Sequence, residues 1–289
     1  MIIDPKTIPV VKLQGYLQGT VSPRPIAFVS SIDKEGKVNL SPFSFFNMFS
    51  MNPPILVFSP SRRVRDNTTK HTLQNVLEVP EVVINIVSHR MVQQTSLASV
   101  EFPKGVNEFC KAGFTEAPSL KVKPPRVSES PASFECQVNQ VIPLGNEGGA
   151  GNLVICEVLL AHFKDEIFDE SGKVDPHKVD AVARMGGDYY CRAHGSNIFT
   201  VPKPNDKLSI GYDQIPESIR NSEVLSGNDL GVLAGVEKLP EQEEILKIRQ
   251  SDEVKEAVLQ GKKAVHVLAK KYLSESKPWE AWLVLLGHT

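Results

Sequence analysis

Short runs of β-branched and aromatic residues, joined by turn residues rather than by regular helices, fill the first two-thirds of this chain. The clearest runs lie at 26–32, 55–59, 82–87, 134–138 and 153–163. A glycine-containing turn at 33–37 separates IAFVSSI from the returning run VNLSPFSFFN, as in a β-hairpin. Strands that follow one another in this way predict a barrel or a sandwich, and they exclude a doubly wound parallel sheet.

Few helices interrupt these strands. Capping and breaker residues predict short helices at 68–77, 89–99 and 106–112, the last ending before Gly113. The segment GNEGGAG at 145–151 resembles a phosphate loop only superficially, because a strand follows it, and we interpret it as a hairpin loop. No GxGxxG motif follows a strand, so any nicotinamide nucleotide must bind without a Rossmann domain.

The pattern changes after the segment VPKPN at 201–205, where helical periodicity replaces the strands. We therefore expect a β domain at 1–204 and a helical extension at 205–289. Ser251 is predicted to cap one helix of the extension, and Ser276 to cap the last one. In that last helix an i, i+3, i+4, i+7 spacing places four apolar residues on one face: Trp279, Trp282, Leu283 and Leu286. We expect this face to pack against the main domain or a second subunit rather than to bind a ligand.

Composition excludes several classes of protein. Hydrophobic residues make up 41% and charged residues 23% of the 289 residues, which is typical of a soluble globular protein. A net charge of -2 favours neither nucleic acid nor an anionic membrane as a partner. No apolar run is long enough for a membrane span, and no signal-peptide pattern is present, so we expect a cytoplasmic protein. The four cysteines lack CxxC spacing and the histidines lack ligand spacing, which predicts reduced thiols and no metal site.

The stretch SPFSFFNMFSMNPPILVF at 41–58 mixes phenylalanines and methionines with small polar residues. Neither a fully buried strand nor a half-exposed one needs this mixture. The next segment, SPSRRVRDNTTKHT at 59–72, concentrates hydroxyls and cations where a helix is predicted to begin. Such a cluster is either an anion site or a solvated basic loop. Taken together, the two stretches favour a ligand with a flat amphipathic ring and a phosphate tail, the shape of FMN.

Several segments carry a resemblance to a known family. They are SPRPIAFVSSIDKEGKVNLSPFSFFNMFSMNPPILVFS, KHTLQNV, EVVINIVS, FPKGVNEFCKAGF, VKPPRVSESPASFECQV, VDAVARMGGDYYCR and NIFTVPKP. In this order they resemble the flavin reductase-like, FMN-binding split-barrel family in its longer, flavoredoxin-like form. The resemblance spans about residues 15–204 and does not reach 205–289.

The resemblance implies a mainly β (α+β) fold, a six-stranded Greek-key split barrel with short helices, which dimerises with FMN near the subunit interface. It implies that the isoalloxazine ring is lined by Ser44, Phe45, Phe46, Asn47 and Met48. The ribityl-phosphate and phosphate contacts would come from Ser59, Ser61, Arg65, Lys70, His71 and Thr72, with His71 in place of the family's acidic residue. Further candidates near the site are Arg24, Arg184 and Tyr189, for which a structural salt bridge and a core or interface tyrosine are equally good interpretations.

The implied activity is hydride transfer from NADH or NADPH to flavin, with oxygen, a flavin pool or a partner oxygenase as acceptor. No side chain is required as a catalytic acid, base or nucleophile, because the cofactor carries the chemistry. Two alternatives remain open at this stage. The chain could be a non-enzymatic FMN-binding or electron-transfer protein, or an interaction module in which residues 205–289 dock a partner.

Overall fold

The computed structural model describes residues 1–202 and 208–288, which fall into two compact units, Met1–Phe199 and Thr200–Thr289. The predicted boundary between residues 204 and 205 lies outside the described residues. The first unit is built on β-sheet and the second on helices. Among the described helices, none is both long and apolar enough to cross a membrane.

Eleven strands are present in the described part of the first unit. In chain order they are Ala27–Ile32 (β1), Val38–Phe43 (β2), Phe46–Met51 (β3), Pro54–Phe58 (β4), Glu81–Ile86 (β5), Glu116–Ala117 (β6), Arg126–Val127 (β7), Ala132–Pro143 (β8), Asn152–Phe163 (β9), Val182–Gly186 (β10) and Tyr189–Arg192 (β11). Every strand predicted from the sequence is found. The expected return strand is divided into β2 and β3 by a bend at Ser44 and Phe45.

Seven of these strands form one antiparallel sheet in the order β2-β1-β5-β8-β9-β4-β3. Strands β2 and β3 lie at opposite edges of this sheet, although only Ser44 and Phe45 separate them in the chain. Two residues span no more than about 10 Å, so the sheet must curl until its edges meet at this bend. No hydrogen-bonded pairing joins β2 to β3 among the described residues, and the barrel stays open. The predicted mainly β split-barrel fold is confirmed, with seven strands in place of six.

Five α-helices accompany the sheet in the described part of this unit: Val10–Thr20 (α1), His71–Glu78 (α2), Val92–Leu97 (α3), Glu108–Ala112 (α4) and Pro176–Val179 (α5). The prediction for α4 is confirmed, and Gly113 ends it in the left-handed conformation at φ 71°. Helix α2 begins three residues later than predicted. The expected helix at 89–99 is divided into a 3₁₀ turn at His89–Met91 and α3. Helix α1 was not predicted.

The second unit has its own hydrophobic core. Its helices are Glu217–Arg220 (α6), Gly227–Ala234 (α7), Gln242–Ile248 (α8), Asp252–Gln260 (α9), Lys262–Ser274 (α10) and Pro278–Gly287 (α11). Trp282 is fully buried in this core, and its indole N–H donates to the carbonyl of Leu233 at 2.9 Å. The interpretation of the tryptophan face as a contact with the main domain or a second subunit was therefore wrong for Trp282.

The predicted caps of the second unit have different outcomes. Ser251 caps α9, since its side chain accepts a hydrogen bond from the Val254 amide. Ser276 does not cap α11: the N-cap is Lys277, and Ser276 adopts a positive φ of 60° in the turn before it. The capping preference of serine was outweighed there by the tight turn that joins α10 to α11.

Candidate functional site

The predicted ring-binding stretch lies at the bend between the two edge strands. Ser44 and Phe45 form the bend, and Phe46 begins β3 with its side chain packed against the core of the barrel. Asn47 and Met48 are exposed on this edge strand, and the Asn47 side chain accepts a hydrogen bond from the Met48 amide at 2.8 Å. A shift in register between Met48 and Ser50 interrupts the pairing of β3 with β4. The polar-aromatic stretch therefore combines one anchored residue with an exposed, irregular edge.

The loop after β4 is fixed to its surroundings by backbone hydrogen bonds. The Ser59 amide donates to the carbonyl of Phe45 at 2.8 Å, which ties the loop to the bend. The Arg62 amide donates to the carbonyl of Ala150 at 2.8 Å, and the Gly149 amide donates to the carbonyl of Arg62 at 3.0 Å. The glycine-rich segment predicted as a hairpin loop is confirmed as the β8–β9 connection, and it supports the loop in this way.

One glycine of that connection is required by a close approach. A Cβ atom at Gly151 would lie 2.7 Å from the Ser59 hydroxyl oxygen, too close for any other residue without a shift. Ser59 is buried, and its hydroxyl accepts a hydrogen bond from the Asn152 amide at 3.0 Å. Its side chain therefore has a structural contact in addition to its predicted ligand contact. Ser61 is half-buried beside it and lines a neighbouring cleft.

Three cations from this loop converge on one carboxylate. Arg63 Nε lies 2.7 Å from Glu101 Oε1, Lys70 Nζ lies 3.7 Å from the same oxygen, and Arg65 pairs with Glu101 Oε2. Arg63 also donates to the Thr69 carbonyl at 2.6 Å, which folds the loop around its guanidinium. The Arg63 hydrogen bond lowers the pKa of Glu101 against the opposing effect of burial. The cluster is therefore an ordered network of ion pairs in which three cations share one carboxylate.

Helix α2 begins at this cluster. Its N-cap is Lys70, which makes no side-chain capping hydrogen bond. The first amide N–H groups of the helix are therefore free of a side-chain cap and can donate hydrogen bonds to an anion. Burial lowers the pKa of Lys70, and burial together with Arg63, Lys104 and Lys70 lowers the pKa of His71. His71 therefore adds a neutral imidazole near neutral pH. Thr72 is buried and its hydroxyl accepts a hydrogen bond from the Asn39 amide group at 2.9 Å.

The remaining candidates lie where the chain before β1 meets β10. Arg24 and Arg184 pair through their backbones, with N–O distances of 3.0 and 2.9 Å. The Arg184 guanidinium donates to the Tyr190 hydroxyl at 2.7 Å and to the Gly187 carbonyl at 2.6 Å. Tyr189 is 77% exposed, so it is not a core residue of this chain, and a role at an interface stays a prediction. In the part of the chain that the structure describes, no ion pair joins either arginine to a carboxylate, so within one chain the structure gives no support to the salt-bridge interpretation.

These residues fit FMN by the chemistry of their side chains. A phosphate monoester is matched by Arg63, Arg65, Lys70 and the start of α2. A flat apolar ring is matched by the exposed side chains at the bend and on β3, where Phe45 is 41% and Met48 57% exposed. The described residues contain no group of three or more histidine, cysteine, aspartate or glutamate side chains that could hold a metal ion.

Two important residues were missed by sequence reasoning. Arg63 was part of the basic cluster but was not selected as a ligand, although its position next to Thr68 and Thr69 makes it the least exposed of the three cations. Glu101 is 38 residues away from Arg63 in the chain. No local pattern joins these two positions, because only the tertiary fold brings the loop before α4 to the start of α2.

The chain belongs to the flavin reductase-like domain family, whose model matches residues 20–177. The match includes the bend, the cation cluster and α2, and it ends before the second unit. Membership indicates a flavin-related redox function for the matched part of the chain.

Several known proteins are similar to this chain in sequence or in structure. The chain is 42% identical over 183 residues to an uncharacterized protein of Aquifex aeolicus, covering 63% of this chain and 91% of that protein. Nitrilotriacetate monooxygenase component B from Bacillus cereus has a similar structure, with a TM-score of 0.65 and 28% identity over 70% of this chain and 98% of that one. The 2-nitrobenzoate 2-nitroreductase NbaA of Pseudomonas fluorescens gives a TM-score of 0.60 and 29% identity, covering 70% of this chain and 96% of that one.

Proposed function

We propose that this protein is an FMN-dependent oxidoreductase that takes hydride from NADH or NADPH and passes electrons to a second substrate or to a partner oxygenase. The observation that carries the proposal is the convergence of Arg63, Arg65 and Lys70 at the start of α2. The loop that carries the two arginines is tied to the bend before β3 by the hydrogen bond from the Ser59 amide to the Phe45 carbonyl. The relatives described as a monooxygenase component and a nitroreductase support a redox role of this kind.

In this proposal the chain's own residues bind and orient the cofactor. Lys70 and Arg63 neutralise the phosphate, and the amides at the start of α2 donate to its oxygens. The bend at Ser44 and Phe45 presents backbone groups and an aromatic side chain to the ring. Bound FMN supplies a two-electron carrier that accepts hydride from a reduced nicotinamide. The protein contributes position and shielding from water, and this is why no acid or base is required.

We further propose that the active species is a homodimer. Strand β3 is an edge strand, and it exposes Met48, Phe49 and Met51 by 57%, 68% and 73%. Exposed edge strands with large apolar side chains are uncommon in monomers, because they promote association. A second copy that covers β3 also excludes water from the predicted ring-binding stretch. Phe49→Asp is expected to shift the mass measured by light scattering from dimer to monomer.

The visible absorption spectrum of the purified protein, followed by anaerobic addition of NADH or NADPH, tests the activity. Flavin bands that bleach on addition of either nucleotide support the proposed oxidoreductase. Flavin bands that persist with both nucleotides indicate an FMN-binding or electron-transfer protein that does not accept hydride. If the protein binds no flavin when FMN is added, the cofactor assignment is wrong.

A further inference from the structure

A cleft of about 440 Å³ lies between helix α1 and the loop after β4. Its apolar lining includes Leu13 and Leu17 of α1, together with Phe45 of the bend and Val64 of the loop. A volume of this size is typical of small-molecule sites, in which apolar walls surround a few polar groups. No aspartate or glutamate contributes to the lining of the cleft among the described residues.

The charged group of interest in the cleft is Arg24. Its side chain is only 8% exposed, and one terminal nitrogen donates to the carbonyls of Gln18 and Val21 at the end of α1. Its Nε has no hydrogen-bond partner, and no carboxylate of the described residues pairs with it. Burial lowers the pKa of Arg24, and the nearby Arg184 lowers it further. Both effects indicate a buried positive charge that the surrounding protein does not neutralise.

The other arginine of the cleft differs in this respect. Arg62 Nε donates to the Asn67 side-chain oxygen at 2.5 Å, and a terminal nitrogen donates to the Asn67 carbonyl at 2.7 Å. Arg62 is thus engaged in holding the loop. Arg24, in contrast, has an unpartnered Nε and no paired carboxylate, and it lies against an apolar wall. This combination is suited to an anion with a flat hydrophobic body.

We propose that this cleft binds a small aromatic carboxylate, with the carboxylate paired to Arg24 and the ring against Leu13, Leu17 and Phe45. The proposal rests on the proposed function, because Phe45 joins the cleft to the predicted ring-binding stretch and so makes the bound acid a substrate or effector of the flavin site. Arg24 is the cation of the lining with an unpartnered donor, and one such group matches a monoanion. A nucleotide phosphate is better matched by the three-cation cluster at Glu101.

The experiment uses the full-length protein loaded with FMN. Benzoate and 2-naphthoate are titrated by calorimetry and by perturbation of the flavin absorbance, and benzamide is the uncharged control. We expect saturable binding of the acids with a Kd on the order of 0.1–1 mM, as for a ligand held by one charge and one ring. Arg24→Met is expected to weaken binding at least tenfold, whereas Arg90→Met, an exposed arginine that does not line the cleft, should leave it unchanged.

A second variant tests the cleft without removing the charge or the contacts of Arg24 to α1. Leu17→Trp on the half-exposed face of α1 fills the cleft and is expected to block both acids while the affinity for FMN is retained. If Arg24→Met does not fold, the acid affinity of Leu17→Trp tests the proposal in its place. Circular dichroism and FMN titration accompany every variant.

Several results would overturn the proposal. They are the absence of binding of either acid, equal binding of benzamide, and displacement of FMN by the acids, which would assign the cleft to the flavin itself. A loss of FMN affinity in Arg24→Met, with acid binding unchanged, would make Arg24 a flavin ligand instead. Failure of the wild-type protein to bind FMN is a separate result, and it would contradict the proposed function rather than the acid site.

Discussion

Glu101 accepts a hydrogen bond from Arg63 Nε at 2.7 Å and so joins the loop before α4 to the start of α2. The same carboxylate contacts Arg65 and Lys70, so one negative charge is shared among three positive ones. Since these cations are the proposed phosphate ligands, Glu101 is expected to repel the phosphate that they attract. The balance between these effects can be measured by removing the charge of Glu101 alone.

Glu101→Gln is expected to bind FMN about tenfold more tightly than the wild type. The substitution removes one negative charge from among the proposed phosphate ligands, and a charge–charge interaction at about 4 Å is worth about 1–4 kcal/mol between the dielectric of water and that of a protein surface. Quenching of FMN fluorescence gives the affinity. Riboflavin, which lacks the phosphate, is the control and should bind both proteins equally. Weaker binding of FMN by Glu101→Gln would mean that Glu101 positions the arginines and that their orientation matters more than the repulsion.

Lys70→Ala is expected to weaken FMN binding by about 1.5–3 kcal/mol, the usual contribution of a hydrogen bond to a charged group. Lys70 is suited to this test because its ion pair with Glu101 is long, at 3.7 Å, and its loss should disturb the fold little. Lys34→Ala, at a lysine of the β1–β2 turn, is a matched control. Unchanged affinity in Lys70→Ala, again measured by fluorescence quenching, would remove Lys70 from the phosphate site.

Thr72 is a poorer choice for the same purpose. It is buried, and its hydroxyl satisfies the side-chain amide of Asn39. Thr72→Ala would therefore leave a buried donor unpaired and reduce stability by about 1–3 kcal/mol whatever its role in binding. A loss of FMN affinity in that variant would not separate a missing ligand contact from a disturbed helix start.

The strands could be predicted from the sequence because their signals are local. Runs such as IAFVSSI and VVINIV combine β-branched residues with flanking turns, and both are fully or largely buried strands in the barrel. Helix α1 was missed because its apolar residues, including Val10 and Val11, are exposed and do not produce a clear amphipathic pattern. The division of the return strand at Ser44 was also missed, since no glycine marks the bend.

The candidate site could be predicted only in part. Lys70, His71 and Thr72 were placed at a helix start by the residues around them, and α2 does begin there. Glu101 and the cleft beside α1 depend on contacts between distant parts of the chain, which leave no periodic signal. Arg24 was selected from its position in the family pattern, whereas the lack of a counter-charge became evident only in the folded structure.

Glu135 provides a prediction about acid stability. Burial of this carboxylate favours its protonation, but hydrogen bonds from the Leu120, Lys121 and Val122 amides and from His162 outweigh burial, and its pKa is lowered. A carboxyl group with a lowered pKa in the folded state stabilises the fold above its unfolded pKa, and this contribution is lost as pH falls through the folded value.

Glu135→Gln is therefore expected to lose about 3 kcal/mol of unfolding free energy at pH 7, since an amide cannot accept all of these hydrogen bonds. At acid pH, where the wild-type carboxyl is protonated, the difference between the two proteins should shrink. Urea unfolding at several pH values measures this. Glu157→Gln, at a partly exposed glutamate on β9, is the matched control. A difference that does not depend on pH would show that the ionised form of Glu135 is not the stabilising one.

Trp282→Ala tests whether the second unit contributes to flavin binding. Trp282 is fully buried among α7, α10 and α11, and removal of such a side chain costs about 3–5 kcal/mol through the cavity that it leaves. All the candidate flavin ligands lie in the first unit, so we expect lower stability of the second unit with FMN affinity unchanged. Denaturant unfolding followed by tryptophan fluorescence, with Trp279→Ala at the less buried tryptophan as control, measures the first effect. A parallel loss of FMN affinity would mean that the helical unit supports the flavin site, and residues 205–289 would then belong to the binding function.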